Sequence, residues 1–397
     1  MKSTLSTILF VFSLALQAQI EIPTYNGGLI FQAKDKSFKA KLNFRMQNLM
    51  TVDFANNGAE TKTNMLVRRA RIKLAGYALN PKWKYKFEMG LSNRDIGASS
   101  DFEQVNSASR LILDAVVKYQ AHKNLELWFG QTKLPGNRER LISSQNLQFV
   151  DRSLVNSSFN IDRDMGFQAH YSKTIGKSVA RAKGAWSMGD GRNITKGNFG
   201  GFGFTGRLEF LPFGEFSKRG DYFSADLTRE SQLKLAFGLT YDLNDDASRQ
   251  GGQLKGFVFD KSGDEIFTDL SSVMFDWMLK YKGFSFQGEF IDKIGDKRAS
   301  MLFATATPEN RFRTGRGFNA QLGYVFENNI ELAGRFTRIS PNYYSSLNEL
   351  NEYTIGLSKY LKGHKLKVQT DLSLTDKKYI SKGENAYRWR FQVEFGF

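Results

Sequence analysis

Eight cationic side chains, Lys39, Lys41, Arg45, Arg69, Arg71, Lys73, Lys84 and Lys86, fall on alternate positions of three short segments. An ammonium is a compact point charge. A guanidinium is a planar fork whose paired N–H donors match two oxygens of a carboxylate or tetrahedral oxyanion. Within those segments only Asp53 and Glu88 oppose them on the same phase. A second cationic set, Lys133, Arg138, Arg140, Arg152 and Arg163, occupies a stretch without strand pattern, together with Glu139, Asp151, Asp162 and the polar run Ser143-Ser144-Gln145-Asn146. These groups suit holding and guiding anions; they do not suit making bonds. There is no Cys, no Gly-x-Ser-x-Gly, and only His122, His170 and His364, of which the first and last sit in predicted turns. No catalytic residue, metal ligand or cofactor is expected.

The elements that carry these charges alternate with a period of two. In the last eleven residues, Tyr387, Trp389, Phe391, Val393, Phe395 and Phe397 face one way, and Arg388, Arg390, Gln392, Glu394 and Gly396 the other. That is a strand with one apolar and one polar face, at the length a membrane-crossing strand needs. The same pattern predicts strands at 38–54, 69–74, 83–91, 111–120, 125–132, 164–173, 178–188, 203–210, 231–241, 271–281, 284–292, 315–326, 329–338, 351–360, 364–374 and 387–397. Short connections at Leu79–Lys82, Ala121–Asn124, Thr174–Lys177, Lys282–Gly283, Glu327–Asn328 and Leu361–Gly363 alternate with long ones near 55–64, 93–110, 133–163, 189–202, 242–270, 293–314, 339–350 and 375–386. One segment, 211–230, is long where a short turn is due. A β-sandwich gives no reason for loops sorted by length. The pattern predicts an all-β, transmembrane, antiparallel up-and-down β-barrel of about 16 strands, with short periplasmic turns and long extracellular loops. It must close, because lipid leaves an open edge unpaired.

With the apolar face toward lipid, the cations line the lumen. Later strands add Lys118, Arg181, Lys183, Arg335, Lys365, Lys367, Arg388 and Arg390. These are mixed with Asp114, Glu126, Glu209, Asp276, Glu289, Glu331 and Asp371, so the basic excess falls on one arc of the wall. Such a bore favours anions over cations. The longest loop, 133–163, is expected to fold into the bore and narrow it. Arg68 has lipid-facing phase and is assigned to lipid phosphate or snorkelling.

Lys2, the apolar run Ile8 to Leu16, and Ala18-Gln19 mark residues 1–18 as a secretory signal peptide. Residues 19–37 form a periplasmic segment or a short strand, the latter at Gly28–Ala33, and 38–397 the barrel. The formal charge of +16 directs the chain to anionic partners: small anionic solutes, outer-membrane lipid and lipopolysaccharide, but not nucleic acid, given the envelope address. The expected location is the bacterial outer membrane.

Several blocks resemble the phosphate-selective porin O and P family, in the form common among Bacteroidetes. They are Phe38-Lys-Ala-Lys-Leu-Asn-Phe-Arg-Met-Gln, Val67-Arg-Arg-Ala-Arg-Ile-Lys-Leu-Ala-Gly, Leu113-Asp-Ala-Val-Val-Lys-Tyr and Trp128-Phe-Gly-Gln-Thr-Lys-Leu-Pro-Gly. The likeness continues through Ser143-Ser144, Phe149 and Arg152-Ser153-Leu154 to Arg163-Asp-Met-Gly. Beyond Tyr171 only the strand pattern and the terminal Phe match. The resemblance implies a sixteen-stranded homotrimeric porin, with a third loop in the bore and Arg and Lys guiding small anions such as phosphate. Two other functions compete: a barrel with a plugged bore serving structure or adhesion, and a barrel hydrolase.

Overall fold

The computed structural model describes residues 21, 23–55, 60–92, 95, 111–194, 201–307, 310–377 and 386–397; the signal-peptide assignment for 1–18 lies outside them. The expected long loops at 93–110 and 375–386 also fall largely outside the described residues.

Two short strands, β1 (Thr24–Tyr25) and β2 (Leu29–Gln32), precede the barrel. The barrel strands are β3 (Lys39–Ala55), β4 (Lys62–Tyr77), β5 (Trp83–Gly90), β6 (Ile112–His122), β7 (Leu125–Lys133), β8 (Arg163–Ile175), β9 (Ser178–Ser187) and β10 (Gly203–Leu211). They continue with β11 (Lys234–Ala247), β12 (Thr268–Tyr281), β13 (Phe284–Gly295), β14 (Gly315–Val325), β15 (Ile330–Pro341), β16 (Leu350–Tyr360), β17 (Leu366–Lys377) and β18 (Ala386–Gly396). Each pairs antiparallel with its neighbour in sequence, and β18 pairs with β3 to close sixteen strands into a ring. The seam sets Phe391 opposite Met50 and Phe395 opposite Met46 on one face, with Arg388 opposite Asp53 and Glu394 opposite Gln47 on the other. Phe397 extends the ladder by two backbone hydrogen bonds with Phe44 and lays its ring 5.9 Å from that of Phe44.

Neighbouring residues on β10 show why the strand sits as it does. Leu208 and Phe210 are 61% and 48% exposed, whereas Arg207 and Glu209 are 1% and 4% exposed. Apolar side chains look outward and charged ones inward, the reverse of a soluble domain and the order a lipid solvent demands. Aromatics gather near both strand ends: Trp83 against Tyr119 at the short-turn end, and Phe167, Trp186 and Phe202 in a row near the long-loop end. Between β12 and β13, Lys282 and Gly283 take φ of 48° and 92°, the left-handed pair that closes a two-residue hairpin with the twist of its strands.

Two departures from the simple pattern position the site. First, β4 runs further than expected, from Lys62 to Tyr77 against 69–74, and β3 lies one residue later at the same length, so the connection at 55–64 contracts to 56–61. Their pairing carries a bulge: Gln47 opposes Arg69 and Asn48 opposes Val67, which leaves Arg68 as the extra residue. The bulge turns Arg68 into the lumen beside Arg69, and the lipid-facing assignment is corrected accordingly. Second, the lumen face is not uniformly polar. Met274, Met278, Ile291 and Ile339 point inward and are fully or almost fully buried, against residues from the loop between β7 and β8.

Candidate functional site

The loop between β7 and β8 starts from Pro135-Gly136, forms α1 (Arg138–Leu141) and a 3-10 turn (Ser144–Asn146), and ends in α2 (Leu154–Phe159). Ser153 caps α2 by accepting the Asn156 N–H at 3.1 Å. The loop lies inside the barrel and is fastened to one side of it. Leu134, Val155, Phe159 and Ile161 pack on Met274, Ile291 and Ile339, while Ile142 and Leu147 pack on Ala236 and Met278. Polar ties follow the same wall. Arg138 Nε donates to Asp276 at 2.8 Å, Asn137 to Glu289 at 2.8 Å, Gln148 to Glu331 at 2.6 Å and Lys367 to the Leu147 carbonyl at 2.8 Å. The Val150 N–H donates to Asp371 at 3.0 Å. Gly317 and Gly356 make room: a Cβ at the first would meet Val155 and Phe159, and at the second Phe149.

Because the loop occupies the side made by β10–β17, the open space runs along β3–β9. It is a cavity of about 1580 Å³. Its lining reaches from Lys123 and Lys362 in the short turns to Arg192 and Lys255 in the long loops, so it spans the barrel's height. Among the described residues that line it, 24 are Lys or Arg and six are Asp or Glu. A low-dielectric tube with that bias concentrates anions.

Of the wall residues singled out by sequence, Lys41, Arg45, Arg69, Arg71, Lys73 and Lys86 line the cavity; Lys39 and Lys84 do not. Of the loop residues, Lys133, Arg140, Arg152 and Arg163 line it, and Arg138 lies behind the loop on Asp276. Many of these charges are answered by acids remote in sequence. Arg45 meets Glu394 at 3.5 Å and the Ser144 hydroxyl at 2.6 Å. Asp151, from the loop, bridges Arg68 at 2.7 Å and Arg69 at 2.9 Å. Arg71 pairs with Glu88 at 3.0 Å, Lys86 with Asp114 at 2.7 Å, and Lys84 with Glu126 at 2.8 Å. Arg140 Nε donates to Asp162 at 2.6 Å and Arg163 reaches Asp114 at 3.2 Å. Arg152 spends its donors on the carbonyls of Glu139 and Ile142, and Lys133 on those of Arg140 and Leu141. Lys73 has no hydrogen-bond or ion-pair partner among the described residues.

Sequence reasoning missed Arg68, Arg192, Lys218 and Arg219 as lining residues. The bulge that redirects Arg68 has no local marker in the alternation. Lys218 and Arg219 do have one: they stand in the segment whose length breaks the short-turn rule.

The sequence profile of the phosphate-selective porin O and P family matches residues 38–216. The match covers a little under half of the chain, and over those residues the sequence is similar to that family. Among curated proteins no sequence match exists. The fold of the chain is similar to that of solved outer-membrane channels. One is DcaP of Acinetobacter baumannii, at 11% identity over 92% of this chain and 99% of that one, with a TM-score of 0.53. Another is OmpF of Salmonella typhi in complex with daunomycin, at 11% identity over 95% and 100%, with a TM-score of 0.55. At such identities the likeness concerns architecture alone. The chain is thus an outer-membrane, porin-like channel and not an enzyme. Among the described residues no three His, Cys, Asp or Glu side chains gather in a way that could hold a metal ion.

Proposed function

We propose that this porin is a passive diffusion channel that prefers small anions, phosphate and other oxyanions among them. The observation that carries the reading is the cavity lining, 24 cations against six acids along a path that reaches both ends of the barrel. The anion pathway runs along Lys41, Arg45, Arg69, Arg71, Lys73 and Lys86, and the loop narrows it with Arg140, Arg152 and Arg163. Residues 1–18 direct export, and the similarity to the porin family over residues 38–216 supports a homotrimer with lipid and lipopolysaccharide around it. A second reading, a plugged barrel, has one observation in its favour. Loop residue Asn146 hydrogen-bonds the 212–233 segment, its side-chain amide donating to the Tyr222 carbonyl at 3.1 Å and its own carbonyl accepting from the Ser224 N–H at 3.0 Å.

Reversal potentials in a planar bilayer under a KCl gradient separate the two. Chloride should pass more readily than potassium, and added phosphate or pyrophosphate should partly block the current. A potassium-preferring pore would refute the anion reading, and a barrel that inserts but stays silent would favour the plug.

A further inference from the structure

Residues 212–233, between β10 and β11, stand at the short-turn end of the barrel, where the other connections are brief. Instead of hanging below the rim, the segment turns inward. Phe216 is buried beside Ile142 and Leu147 of the constricting loop. The Glu230 carboxylate accepts the Ser217 N–H at 2.6 Å and the Ser217 hydroxyl at 2.9 Å. Lys280, from β12, donates to the carbonyls of Gly220, Phe223 and Ala225, each at 2.8 Å. Asp226 accepts the N–H groups of Glu230 at 3.0 Å and Gly283 at 2.8 Å. Apart from the apolar seat of Phe216, these ties come from buried charges, Glu230, Lys280 and Asp226, so the segment is firmly held.

What is held so firmly is an unfavourable backbone. Lys218 (φ 52°, ψ 33°) and Arg219 (φ 58°, ψ 43°) are consecutive left-handed residues, a conformation that L side chains avoid. Strain kept in place by its surroundings points toward use. Its effect is to turn both side chains into the cavity, exposed and without an ion pair among the described residues. Arg219 lies over the Tyr222 ring at 5.0 Å, and Lys183 of β9 reaches the Tyr222 hydroxyl at 3.1 Å. The nearby Arg181 differs: Asp221, Glu209 and Glu215 all pair with it, at 2.6, 3.3 and 2.8 Å. At this mouth, then, Lys218 and Arg219 carry charge that no ion pair among the described residues answers, the nearby Glu215 and Asp221 being turned to Arg181.

We propose that Lys218 and Arg219 form a second oxyanion-binding station at the short-turn mouth of the bore, separate from the loop between β7 and β8. Its ligands are small tetrahedral oxyanions, phosphate or sulfate, held by the guanidinium fork and the neighbouring ammonium. The station rests on the anion-channel reading and adds to it a sidedness: ions arriving from the short-turn end meet these two cations at the mouth, together with Lys123 and Lys362 of the neighbouring turns.

The test uses the full-length porin in planar bilayers, with phosphate added to one compartment at a time. Wild type should be blocked at lower phosphate from one side than from the other. Lys218→Asn with Arg219→Asn removes both charges while keeping residues that tolerate the left-handed backbone. In that variant the half-blocking concentration on the sensitive side should rise about tenfold, the loss expected from two charge-assisted contacts. The other side should stay within about twofold, and chloride should still be preferred. Lys218→Arg with Arg219→Lys should restore the block. If the Asn variant does not insert, Lys218→Gly with Arg219→Gly gives the same readout. Symmetric block in wild type, unchanged block in the neutral variants, or failure of the charge-swapped variant to restore it would each overturn the station. A potassium-preferring wild type would instead overturn the channel reading beneath it.

Discussion

The two arcs of this barrel wall are written in the same alternating code and put to opposite uses. Along β10–β17 the inward charges are consumed by protein. Arg207 lies between Glu209 at 2.8 Å and Asp276 at 2.6 Å, and Lys293 caps the Gly251 carbonyl at 2.8 Å. Arg335 donates to the Asp151 carbonyl at 2.9 Å. Along β3–β9 the inward charges border empty space. Polarity alone therefore does not make a lining. What distinguishes the arcs is what lies opposite them: where Met274, Ile291, Ile339 and Gly317 offer an apolar seat, the loop settles, and the remaining arc becomes the pathway. The bore lies off-centre, against the one arc whose sequence is most basic.

The sharpest way to break this comparison is to attack the seat. Asp276 is the shared anion of Arg138 on the loop and Arg207 on the wall, with all three side chains at most 4% exposed. Asp276→Asn leaves two buried guanidinium groups short of a counter-charge and should destabilise the folded barrel by about 3–5 kcal/mol. The temperature at which unheated barrel unfolds in detergent reads this directly. A change within error would mean that the loop is not anchored there. The next largest effect is on the other arc. Replacing Arg69, Arg71 and Lys73 together by Gln removes three lining cations and leaves Asp151 with Arg68 alone and Glu88 with Lys86 alone. The reversal potential in a KCl gradient should fall most of the way to zero, with assembly preserved. An unchanged potential would make those side chains a wetting layer only.

The division between the arcs was partly legible in the sequence. Alternation gives all sixteen strands because lipid admits only apolar side chains on one face, which leaves little freedom in phase. The basic excess of Lys41 to Lys86 on one arc is visible for the same reason. What stays hidden is pairing across sequence distance. Asp151 meets Arg68 and Arg69, and Glu394 meets Arg45, only after the loop has folded in and the ring has closed. No local window contains either event. The bulge at Arg68 is equally silent, since it depends on how β3 and β4 register. A signal for the loop's seat did exist: Met274, Met278 and Ile291 break the polar phase of β12 and β13, which lumen exposure would not tolerate.

Asp151 offers the finest adjustment, because it belongs to the loop yet acts on the open arc. Its carboxylate sits between Arg68 and Arg69, at 24% side-chain exposure, and lowers the field of both where the loop meets the wall. Asp151→Asn keeps the shape and withdraws the negative charge, so the path should become more anion-preferring, the opposite direction to the triple Gln variant. An ion pair of this exposure contributes about 1 kcal/mol, so the chloride-to-potassium permeability ratio should rise by up to about fivefold. The rise should shrink at high salt, since exposed charges are screened over about 8 Å at physiological ionic strength. A lower ratio would indicate that the two arginines need Asp151 to hold them in the path, and that positioning, more than charge, sets the preference there.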